Sequence, residues 1–219
     1  MYIKTFYCNP FRECTYIVTA QEPAKESTEK SAQEAAQDSA EEQAQESAEE
    51  ASAGLQPCII IDPGMYGEKE EKRVSDYLSE HHLTVAAIFV THTHLDHICG
   101  EDFIKEHFPN VPVYGYNYHF EAENTVIEVA GLRFRMLFTP GHKEDSVCYY
   151  FEQEHLIFTG DTLFQESIGR TDMPGGDYDV LQTSLKRLMQ LPAETIVYPG
   201  HGYTTTIDHE RRYNPFLNR

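Results

Sequence analysis

The chain has 219 residues, 40 % of them apolar and 12 % aromatic, which is enough for one sizeable core. Its net charge of −19 excludes holding nucleic-acid backbone or an anionic membrane by general electrostatics. No apolar run approaches the roughly 20 residues that span a bilayer, and the start, MYIKTFYCNPF, lacks an apolar segment followed by a small-residue cleavage site. Five cysteines (Cys8, Cys14, Cys58, Cys99, Cys148) form no C-x-x-C pair and are odd in number. They are expected to be reduced, mostly buried thiols in a cytoplasmic protein.

In chain order, Ile3–Tyr7 and Cys14–Thr19 are rich in β-branched and aromatic residues and predict strands. The stretch 21–54 then breaks the pattern. It carries ten acids and two lysines, a net of −8, and holds no large apolar residue. Such a segment cannot bury enough surface to offset its ordering entropy, so it is expected to be solvated; an acidic docking arm is the other reading. Cys58–Ile61 resumes the strands, and it can pair with Cys14–Thr19 once the insertion is looped out. Val74, Tyr77 and Leu78, at i, i+3 and i+4, predict a helix over Glu70–His81. Val85–Thr91 reads as a buried strand, Asp102–His107 as a helix, and Val111–Tyr114, Thr125–Val129, Leu132–Phe138, Ser146–Phe151 and His155–Phe158 as strands. A helix begins after Asp177, a suitable N-cap, with Leu181, Leu185 and Leu188 on one face. Thr195–Tyr198 is the last strand. The mixture predicts sheets packed together with helices outside.

The chemistry concentrates in VTHTHLDH, residues 90–97, at the end of an apolar strand. His92, His94, Asp96 and His97 fall within six residues, and imidazole with carboxylate is a donor set for zinc or iron rather than calcium or magnesium. Three later sites repeat one design, an apolar strand, a glycine and a ligand-type residue: FTPGH ends in His142, IFTGD in Asp161 and VYPGH in His201. Glycine before each candidate permits backbone conformations and close approach that a Cβ forbids. Seven candidates exceed what a closed four-coordinate structural zinc needs, which disfavours a non-catalytic scaffold with the acidic arm as the working part.

THTHLDH, TPGH, GDTLF and YPGH, in this order, resemble the signature of the metallo-β-lactamase superfamily. The likeness runs from Ile61 to the end of the chain and leaves out the insertion. It implies an α/β (α+β) fold, a four-layer αβ/βα sandwich forming one domain over 1–219, interrupted at 21–54. It further implies two divalent metal ions, zinc first, with iron or manganese as alternatives. His92, His94 and His142 would bind one ion, and Asp96, His97 and His201 the other, with Asp161 bridging. Asp62, in the IDPG turn, either matches a position that fixes a histidine tautomer or is a plain turn carboxylate. The Asp-His pair at 96–97 implies a fully liganded second site.

SIGRTDMPGGDY (167–178) and NPFL (214–217) narrow the likeness to short relatives of glyoxalase II, the hydroxyacylglutathione hydrolases. That implies a metal-dependent hydrolase in which a hydroxide bridging the metals attacks the carbonyl of a small anionic thioester, with Asp96 and Asp161 in the catalytic centre and Arg170 and Tyr203 facing the substrate. Only 18 residues follow His201, so a helical C-terminal domain that would complete a glutathione site is not expected. The enzymatic alternative within the likeness is a persulfide dioxygenase with one iron on His92, His142 and Asp161. TPGHKEDS departs from the commoner TPGHTPGS, and Lys143, Glu144 and Asp145 either change the rim of the site or lie at the surface, the surface being the preferred reading. Cys99 reads as a core thiol or a redox-sensitive one, and Asp172, Met173 and Pro174 as a substrate mouth or a plain loop. His81, His82, His107, His119, His155 and His209 fit no ligand spacing and are expected to be solvent or packing residues.

Overall fold

The computed structural model describes residues 1–23, 54–118 and 123–217. His119 and all but the ends of the acidic insertion lie outside the described residues. Two sheets face one another. The first runs in the order β1 (Tyr2–Cys8), β2 (Glu13–Thr19), β3 (Gln56–Ile61), β4 (Leu83–Phe89), β5 (Val113–Tyr114). Its first three strands are antiparallel, and β3, β4 and β5 are parallel. As expected from the looped-out insertion, β2 and β3 pair directly, from Tyr16 opposite Ile61 to Thr19 opposite Cys58.

The second sheet has β6 (Val126–Val129), β7 (Leu132–Phe138), β8 (Val147–Phe151), β9 (Leu156–Gly160), β12 (Ile196–Pro199) and β13 (Thr205–Thr206), with β6 and β13 at its edges. Between them in sequence, β10 (Leu163–Phe164) and β11 (Ser167–Ile168) form a small hairpin.

Because side chains alternate across a strand, each sheet has an inner and an outer apolar face. Cys14, Tyr16 and Val18 of β2 point inward, with Ile59 and Ile61, to meet Phe134, Met136, Tyr149, Phe151 and Phe158 of the opposite sheet. The inner layer is largely aromatic: Phe89 lies edge-on to Tyr149 at 5.2 Å and Phe134 stacks on Phe151 at 4.5 Å. The outer face of the first sheet is covered by α1 (Glu68–Glu80), through Val74, Tyr77 and Leu78, and by α3 (Glu101–His107), through Ile104. The outer face of the second sheet is covered by α4 (Tyr178–Leu188), through Leu181, Leu185 and Leu188, and by α5 (Ile207–Tyr213). Helix, sheet, sheet and helix make the four layers.

Asp177 caps α4 as anticipated, its Oδ1 accepting from the Val180 amide at 3.0 Å. The helix α5, the single turn α2 (Leu95–Ile98) and the short strands β10, β11 and β13 had no signal in the sequence reading. The five cysteines are free, and all but the half-buried Cys99 are buried. Burial raises the Cys99 thiol above its ordinary value, which argues against a reactive thiolate there.

Candidate metal centre

The chain leaves β3, β4, β9 and β12 at one edge of the sandwich, and each departure delivers a polar side chain. Asp62 follows β3 with φ of 50°, a strained conformation for a residue with a Cβ. Its Oδ1 accepts from the Thr91 amide at 2.7 Å, and its Oδ2 accepts from the Thr91 hydroxyl at 2.7 Å and from His97 Nδ1 at 2.9 Å. Of its two readings, the structure takes the one in which Asp62 orients a histidine.

A similar arrangement recurs at three of the other four imidazoles. His142 Nδ1 donates to the Arg170 carbonyl at 2.7 Å, His201 Nδ1 donates to the Phe11 carbonyl at 3.1 Å, and His92 Nδ1 lies 3.1 Å from the Thr91 hydroxyl. A neutral ring whose Nδ1 donates presents the lone pair of Nε2 on its other side. These Nε2 atoms point at one another. His92 Nε2 and His142 Nε2 lie 3.1 and 2.9 Å from His94 Nδ1, and His97 Nε2 is 3.3 Å from His201 Nε2.

Asp161 lies between the two sets. It is 3.5 Å from His142 Nε2 on one side, and 3.4 and 3.6 Å from the Nε2 atoms of His97 and His201 on the other. Asp96 Oδ2 is 3.4 Å from His201 Nε2 and 3.9 Å from His97 Nε2. All seven residues singled out in the sequence thus come together. Donor atoms of His92, His94 and His142 lie within 4.8 Å of one another, as do those of Asp96, His97 and His201.

This donor set fits metal ions. Two ligands about 2.0–2.1 Å from a tetrahedral ion are about 3.3 Å apart, in the middle of the spacings observed. Asp161 Oδ1 is buried without a hydrogen-bond partner, a cost that a cation would remove. Electrostatics points the same way. Burial, then the like charges of neighbouring histidines, pushes His92 well below its ordinary value and lowers His94. Burial opposes charge on His97, yet Asp161 and Asp62 override it and raise that ring to about 10. Burial also opposes charge on Asp96, but the hydrogen bond from His201 and the nearby His97 bring it down to about 2.

Glycine is needed at all three repeated turns: Gly141 has φ of +132°, and a Cβ there would lie 2.2 Å from the Leu181 amide nitrogen. A Cβ at Gly200 would lie 2.2 Å from Asp161 Oδ1 and 2.7 Å from His97 Cε1. Gly160 has φ of +48°, and a Cβ there would lie 2.3 Å from the Thr91 hydroxyl.

Lys143 and Asp145 correct the surface expectation. Asp145 is buried and accepts from the Thr93 amide at 3.2 Å, from the Thr93 hydroxyl and from Asn117 Nδ2 at 2.5 Å. Lys143 Nζ sits 3.2 Å from the same carboxylate and also meets the Thr93 hydroxyl. The pair braces the loop between His92 and His94, and only Glu144 of the three is exposed. Glu13 was also missed. It is fully buried, its Oε1 lies 4.0 Å from His97 Nδ1 with no hydrogen-bond partner, and burial followed by Asp62 raises its carboxyl well above the usual range. An acid opening the otherwise apolar strand ECTYIVT was the available signal.

Five of the seven donors, His94, Asp96, His142, Asp161 and His201, floor an open cleft of about 430 Å³ whose walls include Phe11, Leu95, Arg170 and Met173. Arg170 is at the expected place, but its guanidinium is already in a two-point pair with Asp172, at 2.7 and 2.8 Å. Met173 lines the mouth, as one of the two readings had it. Tyr203 is 72 % exposed and is not among the residues lining this cleft. Of the remaining histidines, His82, His107 and His155 are exposed, His81 packs on Tyr77, and His209 pairs with Glu166 at 2.9 Å.

A family model for the metallo-beta-lactamase superfamily matches residues 56–130 and 123–201. The chain belongs to this superfamily. It is 36 % identical over 189 residues to a probable metallo-hydrolase, YqgX, of Bacillus subtilis, covering 74 % of this chain and 87 % of that one. It is 34 % identical over 187 residues to the hydroxyacylglutathione hydrolase GloC of Haemophilus influenzae, covering 73 % and 86 %. Among solved structures it resembles the B3 metallo-beta-lactamase BLEG-1, with a TM-score of 0.78, 27 % identity and full coverage of both chains. ETHE1 from Myxococcus xanthus follows at 0.75 and 28 %, covering 98 % of this chain and 84 % of that one. TTHA1623 in a di-iron-bound form scores 0.73 at 28 % identity, covering 99 % and 100 %. These likenesses agree with the four-layer fold and with a metal-dependent hydrolase. Among the described residues no helix is long and apolar enough to cross a membrane.

Proposed function

We propose that this metallo-hydrolase cleaves thioesters, using two divalent metal ions held by His92, His94 and His142 and by Asp96, His97 and His201, with Asp161 shared. The observation that carries this reading is the position of Asp161, within 3.6 Å of imidazoles from both sets. When bound, such ions supply an acidified water and polarise the acyl carbonyl. The chain's own residues do the rest. Asp62, Thr91 and the carbonyls of Phe11 and Arg170 keep the imidazoles in the tautomer that faces inward. Asp96, held ionised beside His201 and His97, would give the second ion a negative oxygen donor. A thiolate leaves without strong acid assistance, and none is needed from the walls. Arg170 would hold an anionic part of the substrate by a charge-assisted hydrogen bond, in exchange for its contact with Asp172.

Zinc is the ion we favour, on the nitrogen-rich donor set; the di-iron form of TTHA1623 supports iron as the alternative. The likeness to GloC supports thioesters as the substrate class. The likeness to ETHE1 speaks for the one-iron dioxygenase, but under that reading Asp96, His97 and His201 would be oriented for nothing. The test is a panel of thioesters assayed before and after chelation, with metal analysis of the same samples. Hydrolysis lost on chelation and restored with two equivalents is the expected result. No turnover of any thioester by the two-metal protein would refute the proposal.

A further inference from the structure

Two large apolar side chains stand exposed at the mouth of the cleft, Phe11 at 71 % and Leu95 at 70 %. Single exposed apolar residues are ordinary. The backbone beneath Phe11 is not. The turn that carries it contains two residues with a Cβ in the left-handed region, Asn9 with φ of 49° and Arg12 with φ of 57°. It is tied down on several sides. Asn9 Oδ1 accepts from the Phe11 amide at 3.0 Å, Asn9 Nδ2 donates to the carbonyls of Asp96 at 2.9 Å and Gly64 at 3.0 Å, and the Asn9 amide donates to Glu70 at 2.8 Å. The Phe11 carbonyl takes the hydrogen bond from His201. The turn is therefore fixed to the start of α2, to α1 and to the metal-donor cluster, while the phenyl ring that it carries is left uncovered.

The opposite wall differs in kind. Arg170 gives its carbonyl to His142, at the other end of the cluster, and its guanidinium is neutralised by Asp172. It is the cationic side chain among the residues lining the cleft, in a chain of net charge −19. A thioester carbonyl seated over the donors would thus have the Phe11 turn on the His201 side, Leu95 beside His94 and Asp96, and Met173 with one paired cation on the His142 side. Such walls favour a hydrocarbon group beside the donors.

We propose that Phe11 and Leu95 form an acyl-binding wall, which selects thioesters with an aliphatic or aryl acyl group over short or hydroxylated ones. The chemistry rests on the thioester reading; the wall does not. The test uses N-acetylcysteamine thioesters with acyl chains from two to eight carbons, together with ketone analogues in which a methylene replaces the sulfur. Turnover is read as kcat/KM, and analogue binding to the metal-loaded protein as Kd by calorimetry. Full burial of a methylene is worth at most about fourfold, so the expected rise is about twofold to threefold per methylene in both series. The slope should flatten in Phe11→Ala and Leu95→Ala and largely survive in Phe11→Leu, with melting temperature unchanged. Chain-length dependence in the analogues without cleavage of any thioester would keep the wall and remove the thioester reading. A flat series in both measurements, a slope that follows the thiol chain instead, or a dimer that Phe11→Ala dissociates would overturn the wall.

Discussion

Asp62 and Asp145 never reach the cleft, yet each decides where a loop of metal donors lies. Asp62 gathers three donors from Thr91 and His97 onto one carboxylate. Asp62→Asn keeps the shape but offers only one carbonyl oxygen, and it turns an amide toward groups that donate. We expect a loss of about 10- to 100-fold in affinity for the second metal, read by competition with a chelating dye; an unchanged affinity would reduce Asp62 to a turn residue. Asp145→Ala removes the carboxylate from a half-buried Lys143 and from Thr93. It should destabilise the protein by about 3 kcal/mol in denaturant melts, and a change near zero would return the pair to the surface role first expected of it. At Arg170 the Asp172 contact gives a prediction with a sign. Arg170→Ala should raise KM for anionic thioesters far more than for neutral ones, whereas Asp172→Asn should lower it by freeing the guanidinium. Equal effects on neutral and anionic substrates would make Arg170 a loop residue. The seven donors were legible in the sequence because each follows an apolar strand, three of them immediately after a glycine. Glu13, Asn9 and Asp145 were not, because what they do depends on partners such as His97, Asp96 and Asn117 that are far away in the chain.

At the scale of elements, periodicity worked where an element was long enough to show it. The apolar faces of α1 and α4 are buried as their spacing predicts, with Ser184 joining the leucines of α4. The single turn α2 and the two-residue strands β10, β11 and β13 are shorter than any period, and tertiary contacts alone define them. The helix α5 hides for another reason. It buries Glu210 together with Ile207, and Glu210 is satisfied by Thr205, the Glu166 amide and Asn214, so its inner face does not read as apolar. The pairing of β2 with β3 gives a prediction about the insertion. Because four consecutive residue pairs from Tyr16–Ile61 to Thr19–Cys58 close that joint, replacing residues 24–53 by a short turn should leave thioester turnover nearly intact and shift the melting temperature by no more than a few degrees. A loss of many degrees, or of most activity, would show that the insertion packs on the rest of the chain.

For the molecule as a whole, two sheets joined by an aromatic layer fix the strand ends that carry Asp62, the His92–His97 loop, Asp161 and His201. Carboxylates of Asp62, Asp96 and Asp161, with Glu13 behind them, are gathered at that edge in a chain that is already strongly acidic. Binding cations there should stabilise the fold as well as supply the chemistry. Asp96→Asn probes the second metal, since the change keeps the size of the side chain and removes the charge that faces His97 and His201. Wild-type protein should hold two metals, and the variant should lose about one equivalent and on the order of 10² or more in thioester turnover. His92→Ala, damaging under either reading, serves as the control. Wild-type protein that holds a single iron, consumes oxygen with a persulfide and tolerates Asp96→Asn would contradict the account.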